Sequence, residues 1–308
     1  MIVVLTGGTG GAKLIEGLAA EMDPAELTIV CNTGDDCVFH GLQISPDIDT
    51  VTYTLAGLSD SERGWGIQGD TFVALEQLHR LGNDAWFQIG DKDMATHITR
   101  TRMLKEGHTL SEITDHLRRA LGVRSTILPM SDQRIETRVT TRRGEVSFQE
   151  FFVKEHWANE VDAVHFAGVT ESQPAPSVLE AIAGAKAVIV CPSNPVTSIG
   201  PILTVPGIRA ALIASRASIV GVSPMIGAAA ISGPAHKLMA AYGFEASVLG
   251  VAQCYADFLD TILIANEDRK LIPAIENLRI RAIASDIGMP NLVAKRRLAR
   301  ELLALARK

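Results

Sequence analysis

Seven aspartates sit in or beside turn-like segments of this chain: Asp35 and Asp36 in Asn32-Thr33-Gly34-Asp35-Asp36, Asp47 and Asp49 in Ser45-Pro46-Asp47-Ile48-Asp49-Thr50, Asp70, and Asp91 and Asp93 in Gly90-Asp91-Lys92-Asp93. Carboxylates gathered in this way repel one another unless a cation or hydrogen-bond donors offset them, and Mg²⁺ prefers carboxylate, water and phosphate oxygens. The complementary feature lies near the start, in Gly7-Gly8-Thr9-Gly10-Gly11-Ala12-Lys13. A glycine-rich turn between a strand and a helix presents backbone N–H groups and a positive dipole end to a phosphate. Glycines for a diphosphate, acids for Mg²⁺ and the basic Lys92 together describe phosphoryl-type transfer, in which positioning and charge neutralisation carry most of the rate. Taken singly, each aspartate also reads as a turn residue or a helix cap. Asp47 and Asp49 share a face if their segment is extended. His97 follows Asp93 by one helical turn, where Asp93 could fix it or it could meet a phosphate.

The glycine run departs from both familiar fingerprints. Counted from Gly7 as a nucleoside-triphosphate loop, it has Ala12 where the second glycine belongs and Leu14 where a Mg²⁺-binding hydroxyl belongs, which disfavours ATP hydrolysis of that kind. Counted as a dinucleotide loop, Gly8 and Gly10 fit but Lys13 replaces the glycine that lets helix and sheet pack closely. A nicotinamide dehydrogenase is therefore a rival that fits less well. The histidines and the four cysteines, Cys31, Cys37, Cys191 and Cys254, show no zinc spacing.

These residues must be held by an α/β framework. Met1 to Cys31 has the form of a βαβ unit, with Leu14, Ile15, Leu18 and Met22 at helical spacing between two apolar strands. The second half repeats the rhythm with apolar runs at Ala163–Gly168, Ala187–Cys191, Ile219–Val222 and Val248–Val251, giving about six strands. Between Cys37 and about Glu160 the pattern is more polar: a helix ending at Gly82, a short strand over Trp86–Ile89, a helix capped by Asp93, a capping box at Thr109 and Glu112, and a β-hairpin from Arg134 to Phe152. The expected fold class is α/β, a Rossmann-like, doubly wound, mostly parallel sheet with an inserted α+β subdomain. Residues 1–40 and 161–308 form the core and 41–160 the insertion. Prolines and polar side chains in Ser193-Asn194-Pro195 through Ser198 and Gly200 suit a nucleotide. The closing helix, Asn291–Ala306, is expected to turn its basic residues to solvent.

Composition sets outer limits. With 308 residues, 47% of them hydrophobic, the chain buries a sizeable core unaided, and a formal net charge of −6 argues against a nucleic-acid partner. No stretch has the length of a membrane span or the form of a signal peptide, so a cytoplasmic location with reduced, buried thiols is expected.

The passages GGTGGAK, NTGDD, SPDIDTVTYTL, RGWGIQGDTF, IGDKDMATHITRT, LPMSDQ, FQEFF, CPSNPVTSIGPIL and SPMIGAAAISGPAHKLM span nearly the whole chain. In this order they resemble the 2-phospho-L-lactate transferases of coenzyme F-420 biosynthesis and their phosphoenolpyruvate-using relatives. The resemblance implies Mg²⁺ dependence, a homodimer, and attack by the 5′-hydroxyl of 7,8-didemethyl-8-hydroxy-5-deazariboflavin on a guanosine-diphosphate donor, with GMP leaving. It implies a deazaflavin contact for Asp49, and a phosphate contact for Lys92 where relatives often carry Arg. Candidate metal ligands are Asp35, Asp36, Asp49 and Asp70, and candidate catalytic groups are Asp49, Asp36 and Asp70. Substrate contacts fall to Gly8, Thr9, Gly10, Gly11, Lys13, Asn32, Asp91, His97, Ser193, Asn194, Pro195, Ser198 and Gly200. Asp49→Asn is expected to abolish turnover in a folded protein. A second rival is a non-enzymatic regulator of the related nucleotide-sugar-binding gluconeogenesis-factor family, for which tight UDP-sugar binding without turnover would speak.

Overall fold

A computed structural model of the chain describes residues 1–60, 62–227, 229–230 and 233–306. Seven strands form one sheet: β1 (Ile2–Thr6), β2 (Leu27–Cys31), β3 (Thr126–Pro129), β4 (Ala187–Val190), β5 (Ser218–Val222), β6 (Thr261–Ala265) and β7 (Arg281–Ser285). Every neighbouring pair is parallel, and the spatial order is β7-β6-β5-β4-β1-β2-β3. This is the doubly wound Rossmann order with one strand added, and it reverses direction between β1 and β4. Ligands of such sheets bind in the crevice beyond the strand carboxyl ends at that reversal.

Alternation along the strands explains why they read as continuous apolar runs. Val3 and Leu5 face one core with Val188, Val190, Ile262 and Ile264. Val4, Ile29 and Ile189 face the other, with Leu14, Ile15 and Leu18 of the helix α1 (Gly8–Ala19). Both faces are covered, so neither parity needs polar residues. Among the described residues, no helix is long and apolar enough to cross a membrane.

Several expectations need correction. Val248–Val251 is not a strand but the start of a helix, Val248–Cys254, whose N-cap Ser247 accepts a hydrogen bond from the Gly250 N–H. A four-residue apolar run cannot separate helix from strand by its period. The run at Ala163–Gly168 lies in Val161–Ala167, which pairs antiparallel with Glu136–Thr141 in a separate three-stranded sheet. Trp86–Ile89 is irregular, and Trp86 and Phe87 pack on Phe39. The insertion boundaries also miss the sheet edges: β3 lies inside 41–160, and the three-stranded sheet crosses residue 160. The hairpin and the Thr109–Glu112 capping box are present as expected. In the closing helix, Leu292–Leu305, Lys295 pairs with Glu16 at 2.5 Å rather than facing free solvent. Of the SPMIGAAAISGPAHKLM passage, residues 228, 231 and 232 lie outside the described residues.

The glycine turn is shaped by packing as much as by any ligand. A Cβ on Gly10 would lie 2.7 Å from the Pro192 carbonyl oxygen, and one on Gly11 would overlap Thr6 Oγ1 and reach Ser193 Oγ at 3.0 Å. The β1 and β4 loops are thus interlocked at the reversal. Gly11→Ala is expected to cost about 1–3 kcal/mol through overpacking, seen as a lower denaturant midpoint with an unchanged m-value.

Candidate active site

The loops after β1, β2 and β4 converge on one crevice, joined by the start of a helix, α2 (Pro46–Leu55). Asp47 and Asp49 lie in the first turn of α2, not in an extended segment, so they point apart. Asp47 turns toward α1: its Oδ1 accepts the Gly8 N–H at 2.6 Å and its Oδ2 accepts from Asn32 Nδ2 at 2.9 Å. Gly8 holds φ at +68°, a conformation that a side chain would strain. The N–H that a dinucleotide phosphate would use is therefore met by an internal carboxylate, which counts further against the dehydrogenase reading. Burial raises the Asp47 pKa to about 6, although Asn32 and Gly8 donate to it.

Asn32 also donates to the Thr197 carbonyl at 3.2 Å, and its own Oδ1 accepts the Gly34 N–H at 2.8 Å. This pins the β2 loop, in which Asp35 and Asp36 follow. Asp36 Oδ2 accepts from Ser45 Oγ at 2.6 Å, but Asp36 Oδ1 and Asp35 Oδ1 are both buried without a hydrogen-bond partner among the described residues. Burial pushes the pKa of both carboxyls well up, and for Asp35 the neighbouring Asp47 and Asp36 charges add to it. An unpartnered oxygen on each of two successive aspartates in the loop after β2 is the kind of group a divalent ion could satisfy. Among the described residues, no three His, Cys, Asp or Glu side chains are gathered to hold a metal by themselves.

Asp49 is balanced from within the protein. Both its oxygens are held by Arg100, through Nη2 to Oδ1 and Nη1 to Oδ2, the latter at 3.1 Å. Arg100 is 1% exposed and projects from the helix α3 (Asp91–Lys105). His97, also on α3, is buried and lies against Asp49 and Asp93. Burial opposes ionisation of Asp93, but His97, Tyr53 and Arg100 outweigh it and bring its pKa below the usual carboxylate value. Sequence reading singled out neither Arg100 nor Tyr53. The available signal was the 4 and 3 spacing of Asp93, His97 and Arg100, which puts three polar groups on one helix face.

The second acidic group is built differently from the first. Asp70 accepts the backbone N–H of Lys92 at 2.8 Å and of Asp93 at 3.1 Å, capping α3. It shares no hydrogen-bond partner with Asp35, Asp36 or Asp49. Asp91 in turn accepts from Val73 and Ala74 N–H at 3.1 and 3.0 Å and so caps the helix Val73–Arg80. Lys92 Nζ donates to the Gln68 and Gly69 carbonyls. These three residues fasten the loop before α3, and the structure does not bring Asp70 to the orphaned pair. Asp70→Ala is expected to lower stability by about 0.5–2 kcal/mol, as for other lost helix caps, with turnover per folded molecule retained.

In the loop after β4, Ser193 Oγ donates to the Gly7 carbonyl at 2.6 Å, and Asn194 Oδ1 accepts from Val196 and Thr197 N–H. Ser198 lies against the Gly7–Gly8 backbone. Pro195 is buried, and Gly200 packs beneath Phe166 in the helix Ile199–Thr204. Gly8, Thr9, Gly10 and Asn194 keep partial exposure at the crevice, whereas Lys13 is exposed on α1. The four cysteines are free, and burial pushes the Cys37, Cys191 and Cys254 thiols up to about 12.

Comparison with known proteins places this crevice in a family. The family model described as "2-phospho-L-lactate transferase CofD" matches residues 2–289. A 2-phospho-L-lactate transferase of Methanosarcina acetivorans is 42% identical over 99% of this chain and 98% of its own length. A phosphoenolpyruvate transferase of Kitasatospora aureofaciens is 44% identical over 99% and 97%. A solved structure of a UPF0052 family protein from Bacillus halodurans superposes with a TM-score of 0.66 at 20% identity, covering 98% of both chains, and shares the fold. The chain belongs to the CofD family and is a transferase of the 2-phospho-L-lactate or phosphoenolpyruvate type.

Proposed function

We propose that the chain transfers a 2-phospholactyl or enolpyruvyl-phosphate group from a guanosine-diphosphate donor to the ribityl hydroxyl of 7,8-didemethyl-8-hydroxy-5-deazariboflavin, in coenzyme F-420 biosynthesis. The observation that carries this reading is the unpartnered oxygen on each of Asp35 and Asp36, in the β2 loop that Asn32 ties to Asp47 and so to the Gly8 N–H of the glycine turn. Asp35 and Asp36 would hold Mg²⁺, which when bound neutralises charge on the diphosphate. Asp49, oriented by Arg100, accepts a hydrogen bond from the attacking hydroxyl and so positions it; the new O–P bond forms as the P–O bond to GMP breaks, and the hydroxyl proton leaves to solvent. Because such transfer is loose, alignment matters more than base strength. The Gly8–Gly11 turn and the Ser193–Ser198 loop border the nucleotide side. Asp70, Asp91 and Lys92 act as scaffold.

Incubation of the protein with the deazaflavin, Mg²⁺ and each guanosine-diphosphate donor in turn, read by mass spectrometry, tests the proposal. The expected result is GMP release matched by one product per turnover with one donor. Binding without product from any donor would contradict it.

A further inference from the structure

Behind Asp49 runs a chain of buried polar groups that joins two helices. Tyr53 Oη donates to Asp93 Oδ1 at 2.6 Å, and Asp93 Oδ2 lies 3.2 Å from His97 Nε2. His97 Nδ1 lies 3.3 Å from Arg100 Nη1 and 3.7 Å from Asp49 Oδ2. Asp49 and Tyr53 are one turn apart on α2, while Asp93, His97 and Arg100 share a face of α3. Arg100 Nη1 also reaches the Gln43 carbonyl at 3.3 Å, so the guanidinium is held from several sides.

Arginine can only donate, so a hydrogen bond between Arg100 Nη1 and His97 Nδ1 requires the lone pair on Nδ1 and the proton on Nε2, the nitrogen nearer Asp93. His97 Nε2 has no aligned hydrogen-bond partner, its N–H lying off the line to Asp93. Loose contacts of this kind often tighten when substrate completes a site.

We propose that Tyr53, Asp93 and His97 are positioning residues, fixing the Arg100 guanidinium and through it the direction of the Asp49 carboxylate toward the acceptor alcohol. The inference rests on the reading of Asp49 given above. The chain acts as a second layer of support: Tyr53 orients Asp93, Asp93 selects the His97 tautomer, and His97 leaves Arg100 free to grip Asp49 at both oxygens.

Tyr53→Phe and Asp93→Asn, assayed beside wild type, test it. Second-layer losses typically amount to about 10- to 100-fold. Asp93→Asn is expected to lower kcat within that range, and Tyr53→Phe by less, with KM for the guanosine-diphosphate donor unchanged in both. In parallel, ¹⁵N-histidine NMR of the intact protein is expected to show His97 as the Nε2–H tautomer in wild type and displaced from it in Asp93→Asn. Wild-type kcat in both variants, or an Nδ1–H tautomer in wild type, would overturn the positioning role. Wild-type protein that forms no product with any donor would instead overturn the transfer reading on which it rests.

Discussion

Asp35→Asn is expected to reduce turnover by about 10²- to 10³-fold, the range for loss of one preorganised electrostatic group, while raising thermal stability. On the proposed role of Asp35 in holding a cation, the two signs are opposite: the charge serves the ion and not the fold. Its Oδ1 has no hydrogen-bond partner, and burial, then Asp47 and Asp36, raise its pKa. A carboxyl whose folded pKa lies above its unfolded value of about 3.9 costs stability as pH rises past that value. Neutral asparagine carries no such cost. Without divalent ions, the Tm gain of the variant over wild type should therefore grow from pH 5 to pH 8. About 1 kcal/mol corresponds to roughly 2–4 °C in chains somewhat shorter than this one. Scanning calorimetry at the two pH values checks the sign, and steady-state assays check the loss.

Arg100→Met is expected to be the most damaging single change to the fold, at about 3–5 kcal/mol, because it leaves Asp49 as an uncompensated buried charge. Arg100 and Asp49 are 1% and 6% exposed, so water cannot replace the lost partner. The double variant Arg100→Met/Asp49→Leu should recover most of that loss, since removing both charges also removes both desolvation costs. Urea unfolding of both single variants and the double variant measures the coupling. Simple additivity would mean that the pair is not coupled. The same pairing corrects the expectation that Asp49→Asn leaves the fold untouched. Once Asp49 is neutral, Arg100 is buried without its countercharge, so the kinetics of that variant must be read per folded molecule.

The framework was legible in the sequence wherever its signals were long or doubled. The first βαβ unit, the hairpin and the Thr109–Glu112 capping box each combine apolar period with a turn or cap residue, and each is present. The Val248 run was misread because four apolar residues fit either period, and β6 and β7 passed unnoticed at the carboxyl end. The aspartates were legible as a set but not as individuals. Asp35 and Asp36 remain with unmet oxygens, whereas Asp47, Asp70 and Asp91 accept backbone N–H groups. Sequence spacing cannot separate a carboxylate that caps a helix from one that awaits a cation, because both favour loops after glycine or proline. Arg100 was hidden for the opposite reason: a basic residue in a polar helix reads as solvated until the facing helix buries it.

In the proposed site, Asp35 and Asp36 hold a divalent ion against the diphosphate of the donor nucleotide. The most direct measurement of this is ³¹P NMR of guanosine diphosphate with wild-type protein and substoichiometric Mn²⁺, repeated with Asp35→Asn and Asp36→Asn. Broadening of both phosphate resonances beyond that of Mn²⁺ with guanosine diphosphate alone is expected with wild type, and its loss in each variant. Equal broadening in wild type and both variants would place the ion elsewhere and contradict the account.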